Sequence, residues 1–383
     1  MTHTAPTTPR NFLPESVVSL SDHESHAQRV LTDATWAYFN GGAADEITLR
    51  ANQQAWQNLA LLPRVLRPLA GGHTRTSLLG RTLAHPILVA PMAYQRLAHP
   101  DGELATALAA AALGAGLVVS TQASTPLEDV AHLVLAERDR GPLWFQLYWQ
   151  ADIGFTQALV QRAEAAGFEA LVLTVDAPVQ GVRDRERRAG FKLPPGISAV
   201  NLQGMNAPKP PQLAAKQSGL LEGLLTHAAT WDDVAWLQAQ TRLPILLKGI
   251  THPADARQAL SLGVAGLIVS NHGGRTLDTV PATAALLPAI TQAVGGELPL
   301  LVDGGIRRGT DVLKAIALGA AAVMVGRPVL HGLANAGARG VAHVLRLLRD
   351  ELEMAMALTG CRTLADASGA LLQHKVSISI PAR

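Results

Sequence analysis

The segment SNHGGRTLD, residues 270–278, sets an imidazole at His272 and a guanidinium at Arg275 within one tight glycine-rich turn. That spacing can put a base and a carboxylate clamp on the same side of a bound ligand, which suits a 2-hydroxy acid. Asp176, in LTVDAP, can bond the imidazole and stabilise its protonated form, the orienting role a base needs. A lone histidine is more often a satisfied core group than a catalyst, so His272 counts only with its companions. Further along, DGGIRRGTD (303–311) offers glycine backbone and two arginines ahead of a helix start, and VGRP (325–328) ends an apolar run in Gly326 and Arg327. Backbone N–H groups and helix N-termini hold phosphate. Read alone, these residues indicate a phosphorylated ligand and no more.

Eight apolar runs position these groups: PILVAP (86–91), GLVVST (116–121), LWFQLY (143–148), ALVLTVD (170–176), PILLKG (244–249), GLIVSN (266–271), LPLLVDGG (298–305) and AAVMVG (321–326). None alternates polar with apolar, as expected of strands buried on both faces, and helical stretches between them imply parallel pairing. Gly114, Gly167, Gly263 and Gly319 close helical stretches just before a strand, so one strand-helix unit is used repeatedly. A (β/α)₈ barrel is the expected fold, with an open doubly wound sheet as the alternative. Gln146, Tyr148, Thr174, Asp176, Lys248, Ser270, His272 and Asp303 then fall at the C-terminal ends of strands, the rim where barrels build active sites. Burying such groups costs roughly a few kcal/mol each unless partners or a ligand satisfy them.

One barrel with insertions accounts for 383 residues, and 48% apolar against 16% charged composition excludes a disordered chain. A net charge of +2 with scattered basic residues gives no call for nucleic acid. The one cysteine, Cys361, has no partner for a disulfide and no metal-type spacing around it, so a reducing, cytoplasmic setting without metal is expected. MTHTAPTTPRNFLPES has no signal-type apolar core and no window reaches ~18 apolar residues, so neither secretion nor membrane spanning is expected. Residues 1–80 are expected to form an N-terminal extension with capping helices and 81–365 the barrel. Within it, 177–230 is expected as an active-site lid insertion, and 366–383 as a C-terminal tail.

The motifs together resemble the FMN-dependent L-2-hydroxy acid oxidase family, which includes glycolate oxidase, lactate oxidase, mandelate dehydrogenase and the flavin domain of flavocytochrome b2. The resemblance runs from about Tyr38 to about Cys361, through AYFNGGAADE, APMAYQRLAHPDGE, FQLY, LTVDAP, LPILLKGI, SNHGGRTLD, DGGIRRGTDVLKAIALGAAAVMVGRP and ELEMAMALTGCR. It implies FMN as cofactor and His272 as the group that takes the proton when C2 of the acid is oxidised, with Asp176 behind it. Arg183, Arg275 and Tyr38 would grip the carboxylate, and Tyr148 would face the substrate hydroxyl and the flavin. Lys248 would stand near N1 and O2 of the flavin ring, and Pro91, Met92 and Ala93 near N5. Ser120, Gln146, Thr174 and Ser270 would bond the ring's polar edge, and Asp303, Gly304, Gly305, Ile306 and Arg307, with Gly326 and Arg327, would hold the phosphate. For Lys248 a salt-bridged barrel lysine and a Schiff-base lysine stand as alternatives.

Plant glycolate oxidases carry a pocket tryptophan where this chain has Gln122, and a second pocket position reads Gln180. Both changes imply a substrate larger than glycolate, such as lactate, mandelate or a longer aliphatic acid. Ala93 matches the simple oxidases, implying oxygen as acceptor and hydrogen peroxide as product, with a non-oxygen acceptor as the alternative. Relatives also imply a homo-oligomer, a tetramer or octamer. The competing readings are another FMN- or phosphate-binding barrel enzyme and a barrel that binds without turnover.

Overall fold

The computed structural model describes residues 12–205 and 217–374; residues 1–11, 206–216 of the expected insertion and 375–383 of the expected tail lie outside the described residues. Eight strands form the centre: β1 (Ile87–Val89), β2 (Gly116–Ser120), β3 (Leu143–Leu147), β4 (Ala170–Thr174), β5 (Ile245–Ile250), β6 (Gly266–Val269), β7 (Leu300–Val302) and β8 (Ala322–Val325). All pair in parallel with their chain neighbours, and β8 returns to β1 in the register Val323 to Ile87, closing the barrel. Closure removes the open doubly wound sheet from consideration.

The strands read as continuous apolar runs because each serves two cores. Leu88, Val118, Trp144, Val172, Leu246, Ile268, Leu301 and Met324 fill the barrel interior. Their neighbours Ile87, Leu117, Phe145, Leu171 and Leu247 pack outward on the helices. This is alternation with period two in which both faces are apolar. Gly114, Gly167, Gly263 and Gly319 all have positive φ, from 69° to 103°, so the repeated joints turn the chain from helix to strand as expected. A hairpin of Thr76–Leu78 and Arg81–Leu83 sends Leu78 and Leu83 into the interior cluster, and Thr76 Oγ1 donates to Ala321 O just before β8. It plugs the N-terminal end, so the opposite rim is the open one. Trp144 is 2% exposed in this interior. Trp144→Ala should cost about 3–5 kcal/mol, read as a lower denaturant midpoint at unchanged slope; a loss under about 1 kcal/mol would contradict this packing.

Helices Leu20–Val30, Asp33–Asn40 and Ile47–Gln57 precede the barrel, the first two capped by the hydroxyls of Ser19 and Thr32. The first lies on the long C-terminal helix Arg327–Thr359, which is broken at Ala336 and Gly337. His23 joins them through His343, 2.8 Å away, and through Asn335 Nδ2, which donates to the His23 carbonyl. Leu372–His374, at the start of the expected tail, pairs antiparallel with Leu59–Leu61, with Leu371 buried beside it. Among the described residues no helix is long and apolar enough to cross a membrane.

Candidate active site

Beyond β6 the chain enters a left-handed turn: His272 has φ +57°, followed by Gly273 at +63° and Gly274 at +74°. A histidine held there costs on the order of 1–3 kcal/mol, and surrounding bonds must impose it. His272 N donates to Ser270 Oγ, Gly274 N to Asn271 O, and Ala43 N to Gly274 O. The turn aims the imidazole between two partners. Nδ1 lies 2.8 Å from Asp176 Oδ1, and Nε2 lies 3.2 Å from the Tyr148 hydroxyl. With Asp176 accepting from Nδ1–H, the Nε2 lone pair is left for a proton from the Tyr148 side. Gly249, at φ +112°, makes this possible, since a Cβ there would stand 2.5 Å from Asp176 Cβ.

Electrostatics sets the protonation states. Burial pushes the His272 imidazole below its ordinary value, Lys248 and Arg275 push it the same way, and Asp176 opposes them without prevailing. Burial raises the Asp176 carboxyl, yet His272 and Lys248 hold it below the usual carboxylate range. The pair is therefore a neutral imidazole on an ionised carboxylate. Lys248 is 5% exposed, with Nζ 2.9 Å from Ser270 Oγ and 3.1 Å from Asp303 Oδ2. Burial alone would favour a neutral amine, but Asp303 and Asp176 outweigh it and keep an ammonium at the barrel mouth. Along the same rim Ser120 Oγ donates to Gln146 Oε1, and Gln146 Nε2 to Thr174 Oγ1.

Arg275 Nη1 donates to the carbonyls of Tyr38 and Gly41, at 2.7 and 2.8 Å, and the guanidinium lies 5.4 Å from the Tyr38 ring centroid. Burial, with the like charge of Arg183, brings it down to about 10, still charged at neutral pH. Burial also pushes the Tyr38 and Tyr148 phenols up, so both carry their protons. Arg183 Nε is buried with no partner among the described residues.

At the ends of β7 and β8, Gly304 and Gly305 have φ +91° and +85°, and a Cβ on Gly305 would stand 2.2 Å from Asn52 O. Helices Gly309–Ala317 and Arg327–Thr359 start here. Asp303 Oδ1 and Arg307 Nε are buried without partners among the described residues, as a ligand-binding wall would leave them. Arg327 is more constrained than its motif implies, donating to the carbonyls of Phe39, Gly273 and Gly41 and so tying the Tyr38 helix to the His272 turn.

These groups surround one cavity of about 730 Å³. The structure brings every residue singled out from the sequence to its wall except Asp176 and Ser270, which bond His272 and Lys248 from behind. Pro91, Met92, Ala93, Gln122, Gln180, Ile306 and Gly326 are among the wall residues. Tyr94 and Glu186 line it too and were not singled out. Glu186 sits in the run DRERR, which reads as a solvated helix turn; the one signal was its place three residues after Arg183. A cavity of this size, with a polar edge, an ammonium and unpartnered polar atoms beside two helix N-termini, fits FMN.

The sequence matches the family described as FMN-dependent dehydrogenase over residues 27–374. It is 52% identical to an L-lactate oxidase of Roseobacter sp. (strain GAI101), over 93% of this chain and 94% of that protein. It is 45% identical to glycolate oxidase 1 of Zea mays, over 91% and 94% respectively. A mandelate oxidase solved with (S)-2-phenylpropionate has a TM-score of 0.83 and 43% identity, covering 94% of this chain and 98% of that one. Agreement of this extent, in both sequence and fold, shows that the chain belongs to the FMN-dependent dehydrogenase family and takes FMN as its cofactor.

Proposed function

We propose that this enzyme oxidises a small L-2-hydroxy acid to its 2-oxo acid, with His272 as the base, and passes the electrons to oxygen to give hydrogen peroxide. One observation carries the reading: the His272 imidazole is held by Asp176 at 2.8 Å through Nδ1, with Nε2 facing Tyr148 and the cavity. Arg183 and Arg275 take the carboxylate, and two guanidiniums fix which face of C2 is presented. Tyr148 bonds the C2 hydroxyl. His272 Nε2 accepts the proton released as C2 is oxidised, and Asp176 stabilises the imidazolium that results.

When bound, FMN supplies the two-electron acceptor. Pro91, Met92 and Ala93 would cover one face of its ring, and Ser120, Gln146 and Thr174 its polar edge, with Ser270 acting from behind through Lys248. Gly304 through Arg307, with Gly326, would hold the phosphate end, while Asp303 stays with Lys248 and Arg327 braces the wall through the Phe39, Gly41 and Gly273 carbonyls. Lys248 would supply a fixed positive charge beside the bound flavin, which favours its anionic reduced form. Lys248→Met should therefore weaken FMN binding by about tenfold or more, because it strands Asp303 and Asp176 without their cation. It should also lower the flavin midpoint potential. Fluorescence-quenching titration and potentiometry check both; unchanged values would remove Lys248 from the cofactor.

Gln122, in place of the tryptophan of plant glycolate oxidases, and Gln180 both line the cavity wall and support a substrate larger than glycolate. The similarity to an L-lactate oxidase points the same way. Ala93 in the wall supports oxygen as the acceptor. The test is kcat/KM for glycolate, L-lactate, L-mandelate and L-2-hydroxyoctanoate, with peroxide measured alongside. At least one larger acid should exceed glycolate, with one peroxide per 2-oxo acid. Glycolate preferred by about tenfold or more over all the others would overturn the size inference, and absence of peroxide would overturn the acceptor.

A further inference from the structure

Glu186 puts a carboxylate where an anionic substrate calls for cations. It lies on the short helix Asp184–Arg188 and in the cavity wall, its Oε2 3.4 Å from Arg183 Nη1. The two side chains are only 16% and 15% exposed, so this is not a solvated surface pair. The charge of Glu186 also acts on Arg275 and on the Tyr38 phenol, so it bears on the whole carboxylate clamp. Its helix neighbours are otherwise engaged: Arg185 pairs with Glu46, and Arg187 and Arg188 lie 3.9 and 3.8 Å from Asp184. Asp303, the other acidic wall residue, is held by Lys248.

Two partly buried guanidiniums repel one another, and Arg183 is one cause of the lowered Arg275 value. A nearby carboxylate relieves that repulsion in the empty site and opposes the arrival of a second negative charge. We propose that Glu186 is the resident counter-ion of the clamp: it occupies Arg183 until an anion arrives, then yields it, and so limits how tightly substrate and 2-oxo acid product are held. Glu186 is thus a positioning residue that acts through Arg183 and Arg275. The proposal rests on the assignment of those two arginines to the substrate carboxylate.

The test uses FMN-loaded enzyme and oxalate, a small dicarboxylate, titrated by calorimetry. Glu186→Gln should bind oxalate about fivefold or more tighter than the parent, and Glu186→Asp, which keeps the charge, within about twofold of it. The gain should shrink as salt is raised. With substrate, Glu186→Gln should lower KM while the flavin reduction rate at saturation stays within about twofold, a split that loose packing does not produce. Equal or weaker oxalate binding in Glu186→Gln would overturn the proposal, as would an equal shift in Glu186→Asp. Failure of the underlying reading shows differently, as flavin that no 2-hydroxy acid reduces.

Discussion

His272→Ala should slow flavin reduction by about 10²–10⁴-fold while the protein keeps its FMN and its fold. The loss follows from geometry: Nε2 faces Tyr148 in the cavity, 3.2 Å from its hydroxyl, and of the two imidazoles that line the cavity, His272 and His227, only His272 is bonded to both a carboxylate and that hydroxyl among the described residues. Alanine removes the hydrogen bond from His272 to Asp176 and leaves Lys248 as the neighbouring charge that acts on the carboxylate. The same residue should set the acid side of the pH profile. Burial holds the imidazole below 6.5, so the base is neutral above that shifted value and is lost as pH falls through it. The acid limb of kcat/KM should therefore have its midpoint below 6.5 and disappear from the residual rate of His272→Ala. Stopped-flow reduction across pH checks both statements. Reduction within about tenfold of the parent would remove His272 from the chemistry.

Arg275→Ala should lower kcat/KM by about thirtyfold to several thousandfold, the equivalent of about 2–5 kcal/mol for truncating one partner of a buried charge pair. Arg275 combines two jobs. Nη1 fastens the Tyr38 and Gly41 carbonyls, while Nε and Nη2 have no hydrogen-bond partner among the described residues and are available to an anion. Arg275→Lys separates the jobs, because an ammonium keeps the charge but not the planar fork. It should recover part of the binding and less of the rate. Steady-state kinetics with an L-2-hydroxy acid checks this; a change in kcat/KM under about threefold for Arg275→Ala would contradict a carboxylate clamp at this position.

Much of this is legible in the sequence. The eight runs fall on the eight strands because a barrel strand buries both faces and carries little else, so apolar continuity marks it. His272, Asp176 and Lys248 stood out because a polar group ending such a run needs a partner. Other features were hidden for physical reasons. Glu186 lies among charges whose spacing gives the helix turn but not which carboxylate faces the cavity. Arg327 reads as a phosphate ligand from its motif, whereas its side chain reaches three carbonyls distant in sequence, a contact that spacing cannot reveal. The hairpin plug at Leu78 and Leu83 and the His23–Asn335–His343 tie likewise arise only when remote segments meet.

The most direct measurement is the visible spectrum of the purified, FMN-loaded protein mixed anaerobically with L-lactate, L-mandelate or L-2-hydroxyoctanoate. The flavin band should bleach with at least one of the L acids, stay unchanged with its D enantiomer, and return on admission of air. A flavin band that none of these acids alters would contradict the assignment of His272 and the two arginines to hydroxy acid oxidation.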